Sequence, residues 1–307
     1  MPAVLCFRSS RYLASRLSLA IGLLAPAALH GQATVSADLS AYSAMVWRGV
    51  TTTNRPVLDP TLQLVLPTGF AEWTLGAWSN AEPAHYRPAT MIDSYGGAPG
   101  PLFSMHELWV SAARPVGTST VSLGASSYLY PRTDGLASDY NTVELHGSVT
   151  LPGALAPTVS AHYDVGRVGG GYLELSGSRG LRGLGRDLSI AASGGWSLGQ
   201  GAGADEDAIA YFARDGFTHA EASVATELQF GSLTLSPSVH MAYASDPWTR
   251  TVAPNQERRI KAWIGTSLSW SRTIGRAPVE PDAFRNDDSK AQPESQGTAP
   301  SRGKAKQ

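Results

Sequence analysis

His146 with Ser148, His162 with Ser160, and His240 with Ser238 each stand two residues apart. On a strand that spacing puts both side chains on one face. A serine hydroxyl beside an imidazole, with an acid behind it, could carry acyl transfer. No nucleophile-elbow sequence accompanies these pairs, and serine recurs on the same face throughout the chain, so composition alone predicts them. The chain reads as no enzyme. Asp205, Glu206 and Asp207 lie in a glycine-rich stretch, 199–208, and could ligate calcium. They lack the alternating ligand spacing of a dedicated calcium loop, and a solvated loop explains them. His85, among Pro83, Tyr86 and Pro88, has no partner at metal-ligand spacing. No phosphate loop, dinucleotide fingerprint or zinc motif is present, so no cofactor and no metal are expected.

The segments carrying these residues alternate strictly. Thr142, Glu144, His146, Ser148 and Thr150 interleave with Val143, Leu145, Gly147, Val149 and Leu151. After Pro152-Gly153 the pattern resumes, with Thr158, Ser160, His162 and Asp164 set against Val159, Ala161, Tyr163 and Val165. Each segment has one apolar and one polar face. The first alternates over about ten residues, the length a tilted strand needs to cross a bilayer.

The ends of the chain say where it goes. Arg8, Arg11 and Arg16 make a basic start, residues 17–29 are apolar apart from Ser18, and Gly31-Gln32-Ala33 offers small residues to a signal peptidase. Residues 1–33 therefore read as a secretory signal, cut after Ala33. The single cysteine, Cys6, falls inside that segment. Charged residues are 16% of the chain, against about 25% in soluble domains. The rest of the sequence holds no 18-residue apolar run. An exported chain with few charges and no spanning helix is either a secreted all-β protein or an outer-membrane barrel. A net charge of −1 gives no pointer to nucleic acid.

Twelve alternating segments follow: 35–50, 61–66, 71–78, 103–112, 120–130, 142–151, 158–165, 172–178, 187–198, 219–230, 233–243 and 261–270. The links after the even-numbered segments are short. Those after the odd-numbered ones are longer, save 166–171, and the longest is 79–102. Sorting long and short links to opposite ends is the mark of a transmembrane barrel with short periplasmic turns and long outer loops. A sandwich has no reason to do it. In hydrocarbon an open sheet edge is not tolerated, so the first segment must pair with the last. Trp47, Trp73, Tyr163, Trp196, Phe230, Tyr243 and Trp270, near segment ends, could form interfacial girdles, or be ordinary strand aromatics. The expected organisation is an all-β, antiparallel up-and-down barrel of about twelve strands over residues 34–271, with a disordered periplasmic tail at 272–307.

With apolar side chains toward lipid, the opposite face points inward. It carries Asp38, Glu72, Glu107, Glu144, Asp164, Glu174, Asp187, Glu221 and Glu227, with His146, His162, His219 and His240. Against nine acids stand only Arg48 and Lys261. A low-dielectric wall with unbalanced carboxylates focuses a negative potential that favours cations. Solvation, or pairing with loop arginines such as Arg87 and Arg132, would mute it. Arg48 reads as an inward partner for acids near Asp38 across the seam, or as an arginine snorkelling at the outer rim.

The run Tyr42-Ser43-Ala44-Met45-Val46-Trp47-Arg48-Gly49-Val50-Thr51 resembles the opening strand of the TorF-type porin family, with Trp47, Arg48 and Gly49 as its mark. Gly76-Ala77-Trp78-Ser79-Asn80, Glu107, Tyr128-Leu129-Tyr130-Pro131 and Glu144 match further motifs in order. Met45 departs from the family's aromatic, and Trp109 from an acid. The resemblance covers roughly residues 34–270 and implies an outer-membrane channel for passive diffusion of small hydrophilic solutes. Gly265, Leu268 and Trp270 also resemble the last-strand pattern read by the barrel-assembly machinery. The expected partners are that machinery, outer-membrane lipid and small solutes. Two other readings stay open, a plugged structural barrel and an outer-membrane lipid-modifying enzyme with a Ser/His site.

Overall fold

The computed structural model describes residues 32–83, 103–131, 141–183, 186–203, 210–246 and 259–275. The signal segment and cleavage site, almost all of the tail, His85, Arg87, Arg132 and the 205–207 acids lie outside the described residues, as does most of the 79–102 link.

Alternation becomes strand wherever the sequence shows it. The barrel staves are β1 (Ala33–Tyr42), β4 (Val57–Pro67), β5 (Glu72–Ala81), β6 (Phe103–Val116), β7 (Ser119–Leu129) and β8 (Thr142–Thr150). They continue with β9 (Thr158–Asp164), β10 (Gly171–Gly183), β11 (Arg186–Leu198) and β12 (Gly216–Thr226), which β13 (Leu228–Phe230) prolongs. The last are β14 (Leu233–Ala244) and β15 (Ile260–Ile274). With β12 and β13 as one stave there are twelve, each antiparallel to its neighbours, and β12 also pairs with β14. The sheet closes where β1 meets β15, from Ala33↔Ile274 to Tyr42↔Gly265. The chain is a closed, transmembrane, antiparallel up-and-down barrel. From Thr34 to Tyr42, β1 thereby pairs on both sides, so the seam leaves no open edge there, as hydrocarbon requires.

Partners across a ladder share a face, so the register assigns every side chain. Leu39, Leu62, Leu108, Leu123, Leu145, Val159, Leu175, Val224, Val239, Met241, Ile264 and Leu268 face outward and are exposed. Such a belt is stable only against lipid. Tyr163, Trp196, Phe217 and Tyr243 face outward at the long-loop end, and Phe70, Trp73, Phe230 and Trp270 sit at the other end. Trp47 belongs to neither girdle, because its segment leaves the wall.

That departure is the main difference from the expected organisation. The 35–50 segment is one stave only as far as Tyr42. Ser43 then closes the ladder: its amide donates to the Ile264 carbonyl at 3.0 Å, and its Oγ accepts from the Ile264 amide at 3.1 Å. Beyond it, β2 (Met45–Trp47) and β3 (Val50–Thr53) form a separate two-stranded sheet. Alternation persists through both pieces, so periodicity cannot show the bend. The second stave also starts earlier than residue 61, because β4 accommodates Pro60 opposite Leu39. At the other terminus β15 continues past Trp270 to Ile274.

Candidate functional site

The β2–β3 hairpin is a tongue that enters the barrel from the long-loop end. Its turn is two residues long, with Trp47 paired to Val50, and φ is positive at both Arg48 (49°) and Gly49 (76°). Such turns match the twist of the strands they join, and an arginine there carries a cost of about 1–2 kcal/mol. Glycine is required beside it. A Cβ on Gly49 would lie 2.3 Å from Cβ of His219, on the wall formed by β12. The tip therefore reaches from the β1 side of the barrel to β12.

Arg48 is what holds it there. Nη1 donates to Glu144 Oε2 at 2.9 Å and Nη2 to Oε1 at 2.7 Å. The side chains are only 7% and 1% exposed. The guanidinium carbon sits 4.4 Å from the Trp47 ring centroid and 4.3 Å from that of Tyr172. Fork-to-fork geometry with stacking on aromatic faces is available to arginine and not to lysine. Glu144 is satisfied further by His162 Nδ1, which donates at 2.8 Å, and by the Tyr128 hydroxyl at 3.5 Å. A buried pair of this kind is tolerable only when such extra donors complete it.

Aromatic rings fill the space around the ion pair. Tyr172 stacks on Phe212 (centroids 6.0 Å apart) and on His219 (6.5 Å), and Trp47 meets Tyr128 and Tyr211 edge-on. Gly195 leaves the room: a Cβ there would stand 2.1 Å from the Tyr172 hydroxyl. Phe212 is fully buried and comes from the link after β11, so two outer links pack together inside the mouth. Asp164 ties down that end. Its Oδ1 accepts from the amides of Gly166 and Val168, each at 3.0 Å, and its Oδ2 from the Thr142 and Tyr211 hydroxyls at 2.8 and 3.3 Å. In the link itself, Asp215 Oδ1 accepts from Ser197 Oγ at 2.7 Å and from the Gly199 and Gly201 amides. The Ser197 hydroxyl, then the amides, hold its carboxyl below the usual aspartate range.

Below the tongue the wall is polar. Ladder register puts Asp38, Glu107, Glu174, Glu221, His146 and His240 on the inward face among many serines. Asp38 accepts from Ser40 and Ser269. Glu72, Asp187 and Glu227 are exposed near the short-turn end. The inward acids thus divide three ways: Glu144 and Asp164 are consumed by the outer packing, three lie at the inner end, and four line the wall between. Arg48 does not serve acids near Asp38. It pairs 96 residues away, because the hairpin carries it across the lumen. Lys261 bonds Asn54, at the foot of the same tongue. Both strong bases of the inward set therefore engage the tongue.

Sequence reasoning missed the aromatic packing of Tyr172, Tyr211 and Phe212. The inward parity of Tyr172 was the available signal; Phe212 lies in an irregular link, where no periodicity points to it.

Among solved structures the chain is similar to an outer-membrane channel from Pseudomonas putida F1, with 12% identity over 80% of this chain and 97% of that one, at a TM-score of 0.44. It is similar to LpxR from Salmonella typhimurium, with 10% identity over 76% and 99% and a TM-score of 0.44. A third similarity is to outer membrane phospholipase A from Escherichia coli, with 12% identity over 77% and 92% and a TM-score of 0.38. No family model matches the chain. No curated protein matches it either.

Proposed function

We propose that this chain is an outer-membrane channel for small hydrophilic solutes, favouring cations, with the β2–β3 tongue as its constriction. The observation that carries the reading is the tongue, pinned across a polar lumen by the Arg48–Glu144 pair. A passive pore needs a wetted wall, a narrow point and a field. The inward serines supply the first, the tongue the second, and Asp38, Glu107, Glu174 and Glu221 the third. The motif Trp47-Arg48-Gly49, which carries the resemblance to the TorF-type porins, is the tip of that tongue, and we read the chain as a distant relative of them. Export by an N-terminal signal, insertion by the barrel-assembly machinery and passive diffusion complete the proposal.

Planar-bilayer recording of the refolded protein in a KCl gradient tests it. Discrete steps with a cation-selective reversal potential are expected; clear anion preference would sink the role given to the acids. The tightness of the outer packing favours one second reading, a plugged structural barrel. A barrel that refolds with heat-modifiable migration yet stays silent would mean that reading is right.

A further inference from the structure

We propose that Ser238, His240 and Glu221 form a nucleophilic relay that hydrolyses short acyl esters of small hydrophilic alcohols inside the lumen. Of the three serine–histidine pairs singled out in the sequence, this is the one whose members are hydrogen-bonded to each other among the described residues; Ser79 Oγ also meets His106, at Nδ1 and 2.7 Å. Ser238 Oγ and His240 Nε2 are 2.9 Å apart, and His240 Nδ1 faces Glu221 Oε1 at 3.5 Å. His162 instead spends Nδ1 on Glu144, and no hydrogen bond joins His146 to Ser148 among the described residues.

The order of the two ring nitrogens is the one a base needs. With the proton on Nδ1, toward the carboxylate, Nε2 presents its lone pair to the serine hydroxyl. Nδ1 is buried and makes no hydrogen bond in the resting barrel. Glu221, on the neighbouring stave, is the acid placed to take it, and long resting contacts of this type tighten when substrate binds. The imidazole is held in plane by Trp263, stacked at 5.1 Å, and by Tyr42, edge-on at 5.8 Å. The ladders set Ala225 and Gly265 opposite Ser238, and the Tyr42 ring covers Gly265. The same register puts Ser223 opposite His240, where its hydroxyl can donate to a developing oxyanion.

The substrate class follows from the direction the site faces. It opens on the polar lumen and not on lipid, so it would take a water-soluble ester. A cavity of about 250 Å³ adjoins Glu221, lined by the hydroxyls of Thr158, Ser176, Ser193 and Ser223 and by Ala191 and Ala192. Its hydroxyls suit a small, hydroxyl-rich alcohol. In the reaction, Ser238 Oγ bonds to the acyl carbon while its proton passes to Nε2. His240 returns that proton to the departing alcohol oxygen. Water then attacks the acyl-serine, its proton moving through Nε2 back to Ser238, and the carboxylic acid leaves.

The test is covalent labelling of the folded barrel in detergent micelles with a water-soluble fluorophosphonate, mapped by peptide mass spectrometry, alongside turnover of p-nitrophenyl acetate. Label on Ser238 is expected. It should vanish in Ser238→Ala, slow by at least about a hundredfold in His240→Gln, slow in Glu221→Gln, and persist in Ser236→Ala. Folded wild-type barrel that takes no label at Ser238, or labels as fast in His240→Gln, would overturn the proposal. Mapping the wild-type protein decides the question even if a variant fails to fold, and neither readout depends on conductance.

Discussion

Arg48 shows what one residue can be made to do when burial removes every alternative. Its charge is nearly out of water, in a turn that strains its backbone, and it is kept there by two oxygens of one carboxylate and two rings. Replacing it by alanine strands Glu144 as an uncompensated buried charge, at roughly 3–5 kcal/mol. Denaturant unfolding of Arg48→Ala in micelles should show a loss of that order. Its single-channel conductance should exceed the wild-type value as the tongue comes free. Unchanged conductance would mean the tongue is not the narrow point. Asp215 gives a pH dependence. Its folded-state pKa is depressed, chiefly by the Ser197 hydroxyl. The stabilisation it gives its loop is fully present above the ordinary carboxylate pKa of about 4 and is lost as pH falls through the lower folded value. Protection of the Gly199 and Gly201 amides, taken against the free-amide exchange rate at each pH, should fall on acidification through that window, and Asp215→Asn should remove the dependence.

Among the elements, each stave has two faces that obey different solvents. Leu145 is half exposed and points to lipid, whereas Ser148 on the same strand points inward. Leu145→Arg near the midplane should cost roughly 2–4 kcal/mol, while Ser148→Arg should refold nearly as wild type. Equal effects in a folding titration would refute the assignment of faces. The staves were legible because alternation and loop sorting are local consequences of having lipid on one side and water on the other. The tongue was not. Met45, Trp47 and Thr51 continue the periodicity of β1, and what turns them inward is Ser43 ending the seam ladder together with the Arg48–Gly49 turn.

For the whole molecule, closure and charge distribution matter together. Joining β1 to β15 makes a sealed wall. Within it the tongue takes up Arg48 and Lys261, so the acids between tongue and inner end face a lumen whose strong bases are engaged elsewhere. That arrangement underlies the expected cation preference, and raising ionic strength should weaken it as screening lengths shorten. Reversal potentials in matched gradients at low and high mean salt would check this. A preference independent of salt would point to the constriction's shape instead.

The sequence by itself determined the barrel, its stave count, the direction of each strand face and the sorting of its loops. These depend only on period two and on where turns fall. The tertiary structure alone decided which inward residues meet. Glu144 and Arg48, or Glu221 and His240, are brought together by ladder register and by a hairpin folded across the lumen. A contact between residues far apart in the chain leaves no trace in local alternation, because either partner would alternate in the same way without the other.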